Sequence, residues 1–204
     1  MAELTVTTFV SVDGVMQAPG GPKEDTTGDF RYGGWVFPHA GADMGAIMVE
    51  IFSKADAFLL GRGTYDLFAA HWPRVTDPHD PIAGKLNALP KHVVSRTRQS
   101  FEWRNTSFVR DVVEEIAGLK KRYRGELQVH GSAGLLQTLI QRDLIDEYRL
   151  LTFPLILGSG KRLFGPAAAP GALTLKESRT TPAGIVYCAY RRSGPVKTGS
   201  FALD

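Results

Sequence analysis

The stretch "ELQVHGSAGLLQTLI" (residues 126–140) joins a short apolar run to a glycine-rich turn and then to a helical pattern. Leu127 and Val129 form the apolar run, and the turn follows as Gly131-Ser132-Ala133-Gly134. Leucine and isoleucine then recur at the spacing of one helix face. The first N–H groups of a helix lack intrahelical partners and attract anions. The stretch therefore raises the question whether the turn holds a phosphate or is only a tight corner.

The composition fits one globular domain. The chain has 204 residues, of which 43% are hydrophobic and 22% charged, which is enough for a real core. No apolar run approaches the roughly 20 residues that span a bilayer, and the first residues lack the pattern of a signal peptide. The single cysteine, Cys188, excludes an internal disulfide and favours a cytoplasmic location.

The charge pattern argues against large polyanionic partners. The formal net charge is +3, and the basic residues are scattered without a stripe or a known nucleic-acid-binding module. We therefore expect no nucleic-acid partner and no membrane partner. A modest positive excess suits a small anionic ligand.

Strand and helix patterns alternate along most of the chain. Runs of β-branched and aromatic residues predict strands at 4–12, 56–61, 91–96, 126–130, 146–157 and 185–192. Apolar residues at helical spacing predict helices at 42–55, 111–123 and 132–142, and a further helix after Gly61. Asp111 is the predicted N-cap of the second of these helices, with Glu114 three residues on. The alternation predicts an α/β sheet that is largely parallel in its middle.

Three segments lack a strong helix or strand pattern. Residues 17–42 are rich in glycine, proline and aspartate, and we expect a mobile active-site loop there. Residues 158–184 are predicted to be a long loop between two antiparallel strands. Residues 193–204 are predicted to be an irregular tail after a single domain of residues 1–192.

Three predicted strand ends resemble one another. The stretch "AFLLGRGTYDLF" (57–68) repeats the design of the opening stretch, and "KHVVSRT" (91–97) ends a strand with two hydroxyl groups around an arginine. Ligands of open α/β sheets bind outside the carboxyl ends of the strands. The turn at Gly131 does not match G-x-G-x-x-G, and "GSGKR" (158–162) lacks the first glycine of a P-loop. Both standard phosphate motifs are therefore excluded.

The ordered motifs resemble those of a known superfamily. "SVDG", "LLGRGTYD", "VVSRT", "VHGSAGLLQTLI" and "DEYRLLTFPLILGSGKRLF" follow one another as in the dihydrofolate reductase-like proteins. Closest is the reductase domain of the riboflavin-biosynthesis deaminase–reductase, the RibD C-terminal type, over about residues 4–192. The resemblance implies a three-layer α/β fold with a mixed, mainly parallel eight-stranded sheet, a homodimer, and NADPH as hydride donor.

The resemblance also implies a set of cofactor-binding residues at the three strand ends. These are Gly61, Arg62, Gly63 and Thr64 for the phosphates and ribose, Ser95, Arg96 and Thr97 for the 2′-phosphate, and Gly131, Ser132, Ala133, Gly134, Leu135 and Leu136 for the pyrophosphate. An arginine offers a planar fork of donors to a phosphate. Such a charged hydrogen bond predicts a roughly 10- to 100-fold preference for NADPH over NADH from Arg96 or Arg62.

Three carboxylates are candidates for the catalytic side of the site, although Glu50 lies one position off the apolar stripe of the first helix and is expected to face solvent. Asp43, at the start of the first helix, is the closest counterpart of the carboxylate that orients the pterin in dihydrofolate reductases, although it could also cap the helix. Asp13, in "SVDG", ends the first strand and could contact the substrate or only shape the turn.

Four further residues are candidates for substrate contact. Trp35, Phe37 and Trp72 could form the aromatic wall of the pocket, or they could pack in the core. His130 stands where the riboflavin-pathway reductases typically have a glutamate, which puts a riboflavin-type substrate in doubt; a structural role is the alternative.

No metal is predicted. The run "HWPRVTDPHD" (71–80) contains ligand types but no spacing of a closed metal site. One cysteine also cannot supply the P-C-x-x-C of a zinc deaminase, so only the reductase activity of the bifunctional enzyme is expected.

Two functions remain open at this point, besides a weaker third alternative, a structural dimer that binds no ligand and pairs through its apolar C-terminal strands. The first is an NADPH-dependent reductase of a small heterocycle, of the dihydrofolate/pterin or 5-amino-6-(5-phosphoribosylamino)uracil type. The second is a non-catalytic nucleotide-binding module on the same scaffold.

Overall fold

The computed structural model describes residues 1–201. The strands are β1 Glu3–Ser11, β2 Ala55–Gly61, β3 Lys91–Val94, β4 Thr106–Val109, β5 Glu126–Val129, β6 Glu147–Phe153, β7 Ala172–Thr180 and β8 Val186–Gly194. The helices are α1 Ala42–Ser53, α2 Arg62–His71, α3 Pro81–Ala88, α4 Val112–Arg122 and α5 Ala133–Gln141.

All strands belong to one eight-stranded sheet with the order β4-β3-β2-β5-β1-β6-β8-β7. Strands β1 to β6 pair in parallel, whereas β8 pairs antiparallel with β6 and with β7. The expectation of a mixed, mainly parallel sheet with an antiparallel end is confirmed. Because the parallel strands share one direction, their carboxyl ends lie along one edge of the sheet, which we call the carboxyl edge.

Helices cover both faces of the sheet, which gives three layers. On one face, α4 and α5 bury their apolar residues against the inner side chains of β1, β2 and β5. On the other face, α1, α2 and α3 pack against a second set of strand residues, among them Phe58, Leu60 and Val93. Ile47, Ile51 and Phe52 are the buried residues of α1, as its apolar spacing predicts.

Three elements were absent from the sequence prediction. Helix α3 carries weak helix formers, yet Asp80 caps it and Pro81 occupies its first turn, which is a recognisable start signal. Strand β4 is only four residues long. Strand β7 lies inside the predicted 158–184 loop, because it is an edge strand held by backbone pairing to β8 while most of its side chains face solvent.

Two local predictions also need correction. Asp111 does cap α4, through bonds to the Val113 and Glu114 amides, but the carboxylate that reaches back to the Arg110 and Asp111 amides is that of Glu115, not Glu114. Strand β8 extends to Gly194, two residues into the predicted tail. Residues 195–201 have no regular structure, and residues 202–204 of the predicted tail lie outside the described residues.

Residues 17–42, predicted as a mobile loop, contain two short 3₁₀ turns and place a few side chains in the core, while most of the segment is exposed or half-buried. Phe30, Trp35 and Val36 are buried there. The buried Gln17 side chain donates to the Asp25 and Thr27 carbonyls and accepts from the Lys161 amide at 2.9 Å. The segment is therefore anchored to the β6–β7 connection at several points.

Candidate functional site

The three strand ends that look alike in sequence are neighbours in the sheet. Strand β2 lies between β3 and β5, and Gly61 pairs with Val94. The residues that follow these strands, 62–64, 95–97 and 130–134, therefore lie side by side at the carboxyl edge. The expectation that the sequence motifs share one edge is confirmed.

The two glycine turns touch each other. The Gly61 amide donates to the Gly131 carbonyl at 3.1 Å. A Cβ at Gly61 would lie 2.1 Å from the Ser132 Oγ, and a Cβ at Gly131 would lie 2.5 Å from the Thr64 Oγ1. Gly131 also has a φ of +131°, a backbone conformation that residues other than glycine rarely adopt. Glycine is thus required at both positions for the turns to meet.

Two helices begin at this contact without a side-chain cap. The N-cap residues are Gly61 for α2, which has no side chain, and Ser132 for α5, whose hydroxyl accepts no bond from its helix. In α5 the first internal bond runs from the Leu136 amide to the Ser132 carbonyl at 3.0 Å. The amides of residues 133–135 have no acceptor among the described residues. Adjacent helix starts with free N–H groups form a region that favours a phosphate.

Basic and hydroxyl side chains flank this region. Arg62, Arg96 and Thr97 are exposed. The buried Ser95 hydroxyl points into its own turn, where it accepts from the Thr97 and Arg98 amides at 3.3 and 2.9 Å. The turn after β3 therefore presents Arg96 and Thr97, while the Ser95 hydroxyl holds its shape.

Leu135 and Leu136 contribute differently from the other residues of the turn. Both side chains are buried in the core against the sheet. The Leu136 amide is already bonded within the helix, so Leu136 offers no free group to a ligand. Gly134 is exposed, with open space where a Cβ would be.

Asp43 lies in the first turn of α1 and is exposed. It is not the cap, because Gly41 occupies that position. Helix α1 ends at Ser53 and β2 begins at Ala55, so the helix runs back along the sheet. Its first turn, with Asp43, consequently faces the carboxyl edge.

Asp13 is engaged in holding a loop. Its carboxylate accepts from the Ser11 hydroxyl at 2.6 Å and from the Leu157 and Gly158 amides at 3.1 and 3.0 Å, and the Arg162 guanidinium lies against it. These bonds, the one from Ser11 first, lower the pKa of Asp13 from 3.8 to about 2. The group is ionised at neutral pH and ties the end of β1 to the β6–β7 connection.

The three candidate aromatic residues are not brought together. Trp35 is buried, edge-on to Phe153, and its indole N–H donates to the Gln17 carbonyl. Phe37 is 80% exposed. Trp72 follows the last residue of α2, about 15 Å along the helix axis from its first residue at 1.5 Å per residue. Trp72 therefore packs away from the glycine turns, which agrees with its alternative interpretation.

His130 lies between α1 and the sheet, one residue before the turn. Its ring stacks on Phe52 at 4.4 Å with an 8° angle between the planes, and its Nε2 lies 3.2 Å from the Gln128 Oε1. Burial, with the positive charge of Arg149 second, lowers the pKa of His130 to about 3. The ring is therefore neutral at physiological pH.

A cavity of about 670 Å³ is lined by residues of α2 and of the connection between β3 and β4. Tyr65, Asp66, Arg98 and Trp103 are among its lining residues, and none of the predicted site residues lines it. Sequence reasoning missed Arg98, whose guanidinium is held by Asp66 and the Ser100 carbonyl, both at 2.9 Å. The resemblance implied a cofactor-binding role for Arg96, two residues earlier in "SRTR", and gave no role to Arg98.

Within residues 1–201 no group of three or more His, Cys, Asp or Glu side chains could hold a metal ion. None of the helices in this range is long and apolar enough to cross a membrane.

Comparison with known proteins identifies the family. The RibD C-terminal domain profile matches residues 2–187. The chain belongs to the RibD C-terminal domain family. This is the family whose motifs the sequence resembles, and the eight-stranded sheet agrees with it.

One sequence relative and two solved structures illustrate what this chain is similar to. The uncharacterized protein YyaP of Bacillus subtilis (strain 168) is 31% identical over 155 residues, which cover 74% of this chain and 81% of YyaP. A Shewanella sp. PV-4 crystal structure, whose name refers to riboflavin biosynthesis, is similar with a TM-score of 0.70 and 22% identity, over 95% of this chain and 99% of that one. Dihydrofolate reductase from Enterococcus faecalis, complexed with NADP(H), is similar with a TM-score of 0.60 and 12% identity, over 93% of this chain and 96% of that one. At these identities the two structures establish the shared fold.

Proposed function

We propose that this protein is an NADPH-dependent reductase of a small heterocycle of the pterin or ribosylaminopyrimidine type. The observation that carries the proposal is the contact between two uncapped helix starts, at Gly61 and Ser132, on neighbouring strand ends. Family membership supports it, because the family is the RibD C-terminal domain family, which the sequence resemblance implies to be the reductase domain of the riboflavin enzyme. The dihydrofolate reductase of the same fold was solved with NADP(H).

The residues at the carboxyl edge suit a dinucleotide phosphate. Amides at the starts of α2 and α5 would bind the pyrophosphate, and the open space at the Cβ position of Gly134 would allow its close approach to the α5 turn. Arg62, Arg96 and Thr97, all exposed, would bind the 2′-phosphate. A nicotinamide supplies the hydride, and the protein's task is to position the heterocycle beside it and to exclude competing reactions.

The carboxylate that serves the substrate would be Asp43. Asp13 is a poor proton donor, because its pKa is about 2 and its oxygens are occupied by Ser11 and two amides. Asp43 lies at the same edge without a hydrogen bond from another described residue. It would accept a hydrogen bond from the ring of a bound heterocycle and orient it.

Parallel calorimetric titrations with NADPH and NADH test the proposal. Micromolar binding of NADPH, with NADH about 10- to 100-fold weaker, is the expected result. Absence of binding to both nucleotides would overturn the cofactor assignment. The NADPH-loaded protein would then be screened for oxidation of NADPH by pterins and pyrimidines.

A non-catalytic nucleotide-binding module is the second candidate. The occupation of Asp13 by the β6–β7 connection favours it, since only Asp43 is left as a carboxylate candidate from the sequence. Tight NADPH binding with no oxidation against pterins, pyrimidines and quinones would support this candidate. Turnover that is lost in Asp43→Asn would support the reductase instead.

The homodimer and the cytoplasmic location stay predictions from the resemblance and the cysteine content. Sedimentation at micromolar concentration decides the first: a dimer is expected, and a monomer would contradict it. Fractionation of cells that produce the protein decides the second.

A further inference from the structure

A chain of hydrogen bonds runs under α1 from β6 to the end of β5 and terminates at His130. The Arg149 guanidinium binds both oxygens of Glu126 at 2.7 and 2.6 Å. The Gln128 side-chain nitrogen donates to the Glu126 carboxylate at 2.7 Å and to the Ile51 carbonyl at 2.6 Å. The Gln128 Oε1 then faces the His130 Nε2 at 3.2 Å. Because strand side chains alternate, residues 126, 128 and 130 share one face of β5.

The orientation of the Gln128 amide is determined by its neighbours. A carboxylate and a backbone carbonyl only accept hydrogen bonds, so the group that faces both must be the NH₂. Both of its hydrogens are then used, one toward Glu126 and one toward Ile51. The remaining Gln128 Oε1 can only accept. The His130 Nε2 must therefore carry a hydrogen.

This assignment fixes the tautomer of a neutral ring. When the Nε2 of a neutral imidazole is protonated, its Nδ1 is a bare acceptor. The Nδ1 of His130 has no partner among the described residues. It is bonded to Cγ and so lies on the side of the ring nearer the backbone, which continues directly into Gly131. The residue remains partly exposed.

We propose that His130 Nδ1 accepts a hydrogen bond from the substrate. The site would then select heterocycles that have a ring N–H facing this nitrogen. The inference rests on the proposed function, since it names the substrate chemistry of the same site. Glu126, Gln128 and Arg149 are positioning residues, which act on the substrate only through the orientation of His130. A neutral acceptor suits a neutral lactam-type N–H, such as those of pyrimidinediones and pterins, because it adds no charge that would need a cationic partner.

The chain contains its own control. His92, on β3, is also buried, and burial lowers the pKa of its ring to about 4. Both of its ring nitrogens are occupied, Nδ1 by the Ser107 hydroxyl at 2.6 Å and Nε2 by the Tyr123 hydroxyl at 2.7 Å. His92 is thus a neutral histidine with no acceptor left for a ligand.

Nitrogen NMR of the ¹⁵N-histidine-labelled protein at pH 7 tests the tautomer. The His130 signal, identified by its loss in His130→Gln, is expected to show a protonated Nε2 and an unprotonated Nδ1. Uracil or pterin, added with NADP⁺, should shift the His130 Nδ1 and leave both His92 nitrogens unchanged. 1,3-Dimethyluracil, which has no ring N–H, should shift neither. A protonated Nδ1, an equal shift with the dimethylated compound, or no shift with uracil and pterin would each overturn the inference.

Two substitutions separate the ring nitrogens. In His130→Asn the amide oxygen can occupy the place of Nδ1, whereas His130→Gln can reach only the place of Nε2. His130→Asn should retain binding of uracil or pterin, and His130→Gln should weaken it roughly 3- to 10-fold, the effect of one neutral hydrogen bond. Equal loss in both variants would contradict the role of Nδ1. NADPH affinity should remain unchanged in both; if wild-type protein itself fails to bind NADPH, the proposed function fails while the tautomer result stands.

Discussion

The starts of the helices divide into two kinds. Helices α3 and α4 begin at Asp80 and Asp111, and each aspartate accepts two amides of its helix at 2.9–3.4 Å. Helices α2 and α5 begin at Gly61, which has no side chain, and at Ser132, whose hydroxyl makes no cap bond. The first pair flanks the outer strands β3 and β4, and the second follows the inner strands β2 and β5. The starts of α3 and α4 are thus closed by side chains, whereas those of α2 and α5 are open where their two turns meet at the carboxyl edge; α1, which begins after Gly41, is open as well.

A third kind of ending appears at β1. This strand ends beside β5 and β6. The Asp13 carboxylate, just after its end, accepts hydrogen bonds from the Leu157 and Gly158 amides of the β6–β7 connection. A carboxylate therefore occupies the amides next to β1, whereas the amides at the start of α5 remain available. If capped starts serve stability and open starts serve cofactor binding, substitutions at the two kinds of start should change different properties.

The largest effect is expected from Gly61→Ala. The new Cβ would lie 2.1 Å from the Ser132 Oγ, so the two turns must separate. We expect a loss of about 1–3 kcal/mol in the free energy of unfolding, as for other overpacked sites, together with a loss of NADPH affinity. Urea unfolding and calorimetry measure the two effects.

Two further variants control this experiment. Gly118→Ala, in α4 with open space around the Cβ position, should instead stabilise the protein by up to about 1 kcal/mol. Adding Ser132→Gly to Gly61→Ala removes the Oγ and should restore part of the stability. Wild-type NADPH affinity in Gly61→Ala would contradict the proposal that the contact of the two turns forms the cofactor site.

Arg96→Ala should reduce the preference for NADPH over NADH by roughly 10- to 100-fold, about 1.4–2.8 kcal/mol, because a charged bond to the 2′-phosphate is lost. NADH affinity should stay the same. Arg98→Ala is the matched control, since Asp66 and Ser100 already occupy its guanidinium. An equal loss of preference in both variants would show that general positive charge, and not Arg96 itself, reads the phosphate.

Asp13→Asn should destabilise the protein by about 1–2 kcal/mol at pH 7, because charge-assisted bonds to Ser11 and two amides weaken. The folded-state pKa of Asp13 is depressed from 3.8 to about 2. Its stabilising effect is therefore complete above pH 4 and disappears as the pH falls through this interval. Unfolding curves of the variant and the wild type should converge near pH 2; a gap that is independent of pH would contradict the role of the ionised carboxylate.

The smallest effects separate the two kinds of helix start. Asp111→Ala should cost about 1 kcal/mol of stability through the lost cap and leave NADPH affinity unchanged. Ser132→Ala should change stability by less than about 0.5 kcal/mol, because the Ser132 side chain makes no cap bond. If Ser132→Ala destabilised the protein as much as Asp111→Ala, the distinction between capped and uncapped starts would be wrong.

The sequence by itself determined the α/β class, the three strand-end motifs and their position at one edge. These properties depend on local patterns: apolar periodicity for the helices, β-branched runs for the inner strands, and glycine where a strand turns into a helix. The outer strands β4 and β7 were not predicted, because strands with few buried side chains show only a weak alternation of apolar and polar residues. The family resemblance supplied the count of eight strands that the patterns alone missed.

Only the tertiary structure decided which candidate side chains are free to act. Nothing local distinguishes Asp13, which holds a loop 144 residues away, from Asp43, which has no hydrogen-bonding partner within residues 1–201. The same holds for His130, whose tautomer depends on Gln128, Ile51 and a carboxylate, and for Trp72, which points away from the edge. Short-range patterns set the backbone, but the hydrogen-bonding state of a side chain depends on groups that are distant in sequence and meet only when the sheet has assembled.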